Sequence, residues 1–225
     1  MKIPFTVEQF FEVFARYNEG VWPTQIILNL LALAAIVLVL RPRPFSSPAI
    51  AAILSFLWGW TAIAYHFGFF TSINPAAWLF GALFLVGSLW FAWVGVIKGR
   101  LQFRLTGGIR GGAGVLLIVF SLIIYPLLGH LLGHRYPAVP TFGLPCPTTI
   151  FTLGLLLLAS APLPRSVFVV PLLWSAIGAL AAFRLGVLQD LGLLAAGLIG
   201  LAAVIVAPAP TDPALHEDLP PASRW

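Results

Sequence analysis

Two histidines spaced four residues apart, His130 and His134, stand in the stretch "YPLLGHLLGHRYP" at the end of a long apolar segment. On a helix this spacing places both imidazoles on one face. Two imidazoles can share one metal ion, and a third histidine, His66, or the only cysteine, Cys146, would complete the ligand set. Imidazole and thiolate ligands together suit zinc or copper. The first hypothesis is therefore a zinc or copper site at His130, His134, His66 and Cys146.

The same side chains have other interpretations. Imidazoles near a membrane surface can bond to lipid headgroups or loops, and polar side chains within a bilayer also mark proton or substrate routes. His66 stands among aromatic residues in "AIAYHFGFF", where a histidine either packs in the core or serves function. A lone cysteine such as Cys146 is typical of a small buried hydrophobe. All of these interpretations stay open on the sequence alone.

Further polar residues suggest a route for a solute. Arg184 and Asp190 flank one short loop, where they would pair with each other or contact an anion. Amide and hydroxyl side chains within apolar segments hydrogen-bond between helices, and they would line a central path in a carrier. The predicted path consists of His66, Gln25, Asn29, Thr148, Thr149, Arg184 and Asp190. No residue is assigned a catalytic role.

The composition indicates what must position these residues. Apolar side chains make up 60% of the 225 residues and charged ones 8%, against about 25% in a soluble domain. Between Val21 and Ala207 the only acid is Asp190. Such a chain cannot cover a soluble globule with polar groups, so we expect an all-α, polytopic membrane helix bundle. Its net charge of +5 then concerns topology and lipid, not nucleic acid.

A membrane span needs about 20 apolar residues, and the sequence predicts seven spans within a domain covering residues 21–207. The fifth is short for a bilayer. The predicted spans are 22–40, 47–70, 75–97, 112–132, 147–161, 165–183 and 190–207.

Two terminal segments differ from the spans. Residues 1–20 contain "TVEQFFEVFARYNEG", with apolar residues on one helical face and charged residues on the other. This pattern predicts an amphipathic helix on the outer membrane surface or across the mouth of the bundle. Thr6 and Gln9 fit a capping box at its start. Residues 208–225 are rich in proline and acid, and they predict a disordered cytoplasmic tail.

Basic residues predict the orientation. With seven spans, eight of the twelve Lys and Arg residues fall on one side and four on the other. Positive charge favours the cytoplasm, which gives an N-terminus outside and a C-terminus inside.

An internal echo relates the first and fifth spans. "WPTQIILNLLAL" and "CPTTIFTLGLLL" both open with Pro-Thr, and spans two and six each contain a Leu-Trp pair. The echo predicts a parallel repeat of three spans, a linker and three spans, as transporters often have. This topology is similar to that of small sugar transporters, which also carry a proline in spans one and five. There the proline is followed by glutamine, whereas Pro23 and Pro147 are each followed by threonine.

Two longer segments carry a broader resemblance. "MKIPFTVEQFFEVFARYNEGVWPTQ" and "FGLPCPTTIFTLGLL" resemble a family of uncharacterised bacterial multi-pass membrane proteins, a domain of unknown function. The resemblance covers nearly the whole chain and implies a bacterial inner-membrane protein. Some family members are labelled as transporter permeases. The resemblance supplies no catalytic residues.

Three functional hypotheses follow. The favoured one is a transporter for a small solute or ion, supported by the repeat, the prolines within the spans and the polar residues near the outer face. The second is a membrane-embedded zinc or copper protein or metal-dependent hydrolase, for which no carboxylate stands in a known catalytic spacing. The third is a receptor or partner-binding subunit. The expected partners are the lipid bilayer and a small solute or ion, with homo-oligomerisation left open.

Overall fold

The computed structural model describes residues 4–160 and 163–206. This part of the chain is helical, with isolated bridges in place of strands. The predicted cytoplasmic tail, 208–225, lies outside the described residues. The eight helices are α1 (Val7–Gly20), α2 (Thr24–Leu40), α3 (Ser46–Ser72), α4 (Ala77–Ile97), α5 (Gly108–Leu131), α6 (Pro145–Leu158), α7 (Arg165–Leu185) and α8 (Leu188–Val206).

Five of the described helices, α3, α4, α5, α7 and α8, are long and apolar enough to cross a membrane. The count rises to six if α1 and α2, which meet at a bend of 86°, form one broken span. All seven predicted apolar segments contain a helix, but seven spans are not confirmed. The 17 residues of α2 and the 14 of α6 are shorter than the roughly 20 that a bilayer core requires.

Burial accounts for the short length of α6. Thirteen of its fourteen residues are buried, and the helix packs against α3, α5, α7 and α8. A helix that is apolar all round belongs inside a protein, where nothing ties its length to the bilayer. The expected fifth span is therefore the central helix of the bundle.

The two helices that the proposed repeat equates, α2 and α6, have different surroundings. Large apolar side chains of α2 lie exposed along its length, whereas α6 has none. The first helix of the second triplet, α6, also packs directly against the third, α8. The internal repeat stays a prediction, and the packing of its halves is not equivalent. The exposed apolar residues of α2 are Ile26, Ile27, Leu30, Leu33, Val37 and Leu40.

Three of the long helices contain π-helical segments. They are Thr61–Phe67 in α3, Ala92–Ile97 in α4 and Phe120–Ile124 in α5. The last ends two residues before Pro126, whose missing N–H disturbs a regular α-helix. The helix is thus irregular before Pro126, in the form of a widened turn. π-Helical turns are frequent at functional sites.

Two glycines set the approach of α5 to α6. A Cβ at Gly114 would lie 2.8 Å from the Gly154 carbonyl oxygen. A Cβ at Gly154 would lie 2.9 Å from the Gly114 carbonyl oxygen and 2.8 Å from Ile118 Cγ1. The two backbones are therefore in direct contact, as in helix pairs that meet through small residues.

This contact predicts how much a methyl group added at Gly154 lowers the stability of the protein. Gly154→Ala should destabilise the protein by roughly 1–3 kcal/mol, because backbone atoms must move apart. Gly112→Ala is the matched control, since nothing lies within 4 Å of its Cβ. Thermal unfolding of both variants in detergent checks this, and equal midpoints would contradict the close contact.

Candidate functional site

The first helix is docked on the bundle through its apolar face. Thr6 caps α1 at the predicted capping box, with Gln9 completing it. Phe14 and Tyr17 are buried, and the Tyr17 ring lies 5.6 Å from that of Tyr65 in α3. Trp60 Nε1 donates a 2.8 Å hydrogen bond to Tyr17 Oη. The helix exists where the sequence predicts it, and its place at a membrane surface stays a prediction.

A single amide ties α1 to the loop between α5 and α6. Asn18 is fully buried, and its Nδ2 donates to the carbonyl oxygens of Pro137 at 2.6 Å and Val139 at 2.7 Å. Its Oδ1 accepts from Thr141 Oγ1 at 2.7 Å. Its own backbone carbonyl accepts from Gln25 Nε2 at 2.8 Å, across the bend into α2. Asn18 thus connects α1 with the loop between α5 and α6 and with the first turn of α2.

His134 contributes to the same docking. Its ring centroid lies 4.4 Å from that of Phe11 in α1, and its Nδ1 lies 3.4 Å from Gln189 Nε2. Partial burial lowers the pKa of His134 below its usual value. The neutral imidazole is therefore favoured in the folded protein.

Beneath α1 lies a cavity of about 440 Å³, here called the α1 cavity. Its walls are mainly aromatic and aliphatic, and a few polar groups converge in it. Small-molecule sites typically combine apolar walls with a few polar groups in this way. Phe5, Phe10, Phe14, Tyr65, Phe70, Phe80 and Trp174 form its aromatic walls, and Asn74, Tyr125, Cys146, Arg184 and Asp190 are its principal polar groups.

The only mid-chain acid, Asp190, is the polar centre of the α1 cavity. Its side chain is 6% exposed, and its Oδ1 accepts a 2.5 Å hydrogen bond from Tyr125 Oη. Cys146 lines the same cavity, and its thiol lies close enough to this carboxylate to interact with it. Three elements meet there: α5 carries the tyrosine, α6 the cysteine and α8 the acid. A buried carboxyl group is costly unless it is hydrogen-bonded, which accounts for this convergence.

Sequence reasoning missed Tyr125. It opens the same stretch that contains His130 and His134, and it stands one residue before Pro126. No spacing rule pairs a tyrosine with an acid 65 positions away. A signal was available, because a sole buried acid requires donors.

His66 is buried outside the lining of the α1 cavity. It has no exposed surface, and neither ring nitrogen has a hydrogen-bond partner. Its ring centroid lies 4.9 Å from Phe84 and 5.3 Å from Trp174, which itself lines the α1 cavity. His66 therefore adjoins the cavity through Trp174 and is not among the residues that line it.

A second cavity, here called the side cavity, lies between α2 and α5 and has a volume of about 590 Å³. Gln25 and Asn29 of α2 face it together with His130 and His134. Tyr125 lines both cavities and therefore forms part of the wall between them.

The predicted path residues thus fall into separate places. Arg184 and Asp190 line the α1 cavity, and Gln25 and Asn29 line the side cavity. His66, Thr148 and Thr149 line neither. Thr149 bonds back to the Pro145 carbonyl within α6, and the Thr148 hydroxyl is buried without a hydrogen-bond partner.

The predicted metal ligands are distributed in the same way. His130 and His134 share the side cavity, Cys146 lines the α1 cavity, and His66 is enclosed by aromatic rings. Within residues 4–160 and 163–206, no three His, Cys, Asp or Glu side chains are grouped so that they could hold a metal ion. Zinc or copper binding by these residues stays a prediction.

Comparison with known proteins identifies the family. Residues 7–211 match the family of unknown function DUF6064. The chain belongs to this family. The match includes α1, all the residues of both cavities from position 7 onward, and Asp190. No curated protein and no solved structure matches the chain. The family assignment therefore leaves the function to be argued from the site.

The Asn18 contacts predict how α1 is retained. Asn18→Leu should leave the carbonyls of Pro137 and Val139 without this donor, at a cost of roughly 1–3 kcal/mol, and should loosen α1. Hydrogen–deuterium exchange of residues 7–20 should accelerate. Asn29→Leu is the control, because Asn29 donates only within its own helix among the bonds described, to Gln25. Unchanged exchange in Asn18→Leu would contradict the role assigned to Asn18.

Proposed function

We propose that this protein is a membrane transporter for a small solute, and that the α1 cavity is its solute site. The observation that carries the proposal is the convergence of hydroxyl, thiol and carboxylate groups on one point of an otherwise apolar cavity. A volume of about 440 Å³ falls within the range of small-molecule sites, roughly 300–1,000 Å³. The long apolar helices around the cavity are compatible with a lipid bilayer.

The two cavities suggest a route rather than a closed site. Tyr125 lines both and donates to Asp190, so a rotation of its side chain would break one hydrogen bond and open the wall. The π-helical segment Phe120–Ile124 directly precedes Tyr125. Irregular helical backbone near a central site is a recurring feature of transporters. These features support transport over simple binding.

The direction of the route follows from the charge distribution. We propose a bacterial inner-membrane protein with its N-terminus outside, because the loops predicted to be cytoplasmic carry most of the lysines and arginines. In that orientation α1 and the α1 cavity lie on the outer side. Bilayer lipid and a small solute are the partners that the proposal requires.

The sole cysteine allows a direct test of this orientation and of cavity access. Cys146 lines the α1 cavity, so a membrane-impermeant maleimide should label it in right-side-out vesicles and not in inverted ones. A permeant maleimide should label it in both preparations. Mass spectrometry of the purified protein measures the labelled fraction.

A matched variant distinguishes the membrane side that Cys146 faces from the accessibility of the α1 cavity. Cys146→Ala combined with Ser72→Cys moves the thiol to an exposed residue two positions beyond Phe70, a wall residue of the α1 cavity. This variant should be labelled faster than wild type from the same side. Labelling of the variant without labelling of wild type would refute an open α1 cavity. Labelling of both only in inverted vesicles would reverse the proposed orientation.

The wall between the cavities gives a further prediction. Tyr125→Ala should join the two cavities and accelerate labelling of Cys146 by a bulky maleimide severalfold. Tyr125→Phe keeps the ring and should label slowly, which separates the effect of the ring from that of the hydroxyl group. Tyr136→Ala is the control, because Tyr136 lines only the side cavity of the two. Equal rates in all three variants would refute Tyr125 as the barrier.

A further inference from the structure

We propose that the solute of the α1 cavity is an amphipathic organic cation, an apolar group that carries an ammonium. This inference rests on the proposed function, since it takes the α1 cavity as the solute site. It assigns the apolar group to the aromatic wall and the ammonium to Asp190. The chemistry of the solute is inferred from the aromatic wall, from the Asp190 carboxylate and from the depth at which Asp190 and Arg184 lie.

The aromatic wall is continuous from α1 to α7. Ring centroids are separated by 5.9 Å between Phe10 and Phe70, by 6.4 Å between Phe70 and Phe80, and by 5.4 Å between Phe80 and Trp174. Tyr65 stacks on Phe70 at 5.5 Å. The faces of such rings attract a cation, and the attraction grows when water is excluded. The wall therefore suits a solute that is both apolar and positively charged.

The carboxylate supplies the matching charge. Both groups described above beside Asp190, the Tyr125 hydroxyl and the Cys146 thiol, are neutral. The hydroxyl satisfies a lone pair, and neither group supplies a countercharge. A buried charge is most stable when it is paired as well as hydrogen-bonded. An ammonium placed beside Asp190 would complete both requirements.

Arg184 is the second charged side chain of the α1 cavity, and it does not favour an anion at the depth of Asp190. Arg184 is an exposed residue, whereas Asp190 is 6% exposed. Arg184 therefore lies nearer the opening of the cavity, and the Asp190 carboxylate lies nearer its floor. An anionic solute that reached the floor would meet a like charge at low dielectric, which is costly.

Three probes of similar size test the charge preference. Phenethylamine is a cation at neutral pH, 2-phenylethanol is neutral and 3-phenylpropionate is an anion. Each is added to the purified protein in detergent, and the rate at which N-ethylmaleimide labels Cys146 is measured together with binding by calorimetry. We expect phenethylamine to bind and to slow labelling, with the neutral and anionic probes at least roughly tenfold weaker.

Variants assign the preference to residues. Asp190→Asn should weaken phenethylamine binding roughly tenfold and leave 2-phenylethanol unaffected. Glu19→Gln removes an acid that is exposed on α1 outside the cavity, and it should change neither. Phe80→Leu keeps an apolar wall without the ring, and it should weaken the cation roughly three- to tenfold. Size-exclusion profiles confirm that each variant is folded.

The outcomes separate this inference from the proposed function. Equal binding of the three probes, or tighter binding of the anion, would overturn the cation assignment. So would unchanged phenethylamine affinity in folded Asp190→Asn, or absence of binding by all three probes. In each of these cases the α1 cavity stays a solute site if Cys146 is labelled from outside. Failure of that labelling would instead overturn the proposed function itself.

Discussion

Burial of α6 on every side is the constraint on which the rest of the bundle depends. A helix with thirteen buried residues out of fourteen needs neighbours around its whole circumference, and α3, α5, α7 and α8 supply them. The paired glycines Gly114 and Gly154 allow α5 to approach until backbone meets backbone. Because α6 begins at Pro145, its first turn brings Cys146 to the point where α5 and α8 place Tyr125 and Asp190.

Sequence patterns were sufficient for the helices and insufficient for their roles. Apolar stretches located all seven segments, and the Thr6–Gln9 pair located the start of α1. Apolar composition cannot distinguish a helix that faces lipid from one that faces protein, since both environments favour the same residues. For that reason the sequence predicted α6 only as a short span and did not show that it is the central helix of the bundle.

The candidate site was predicted in part for a similar physical reason. A single acid in a long apolar chain predicts a functional position, and the structure places Asp190 in the lining of a cavity. His130 and His134 line one cavity but do not share a helix face as predicted, because α5 ends at Leu131 and His134 lies in the loop that follows. Contacts between distant segments could not be predicted from the sequence, because the tyrosine, the cysteine and the acid come from three helices. The hydroxyls of α6 were misleading, since Thr149 satisfies its hydrogen bond within its own helix.

The sharp turn between α1 and α2 gives the two cavities a shared mechanical element. The helices meet at 86° across a short connection, and Gln25 bonds to the Asn18 carbonyl across that corner. The aromatic face of α1 roofs one cavity, while the first turns of α2 flank the other. Because that corner is short and braced by this bond, a displacement of α1 would be passed on to α2, so the roof of one cavity is mechanically linked to the flank of the other.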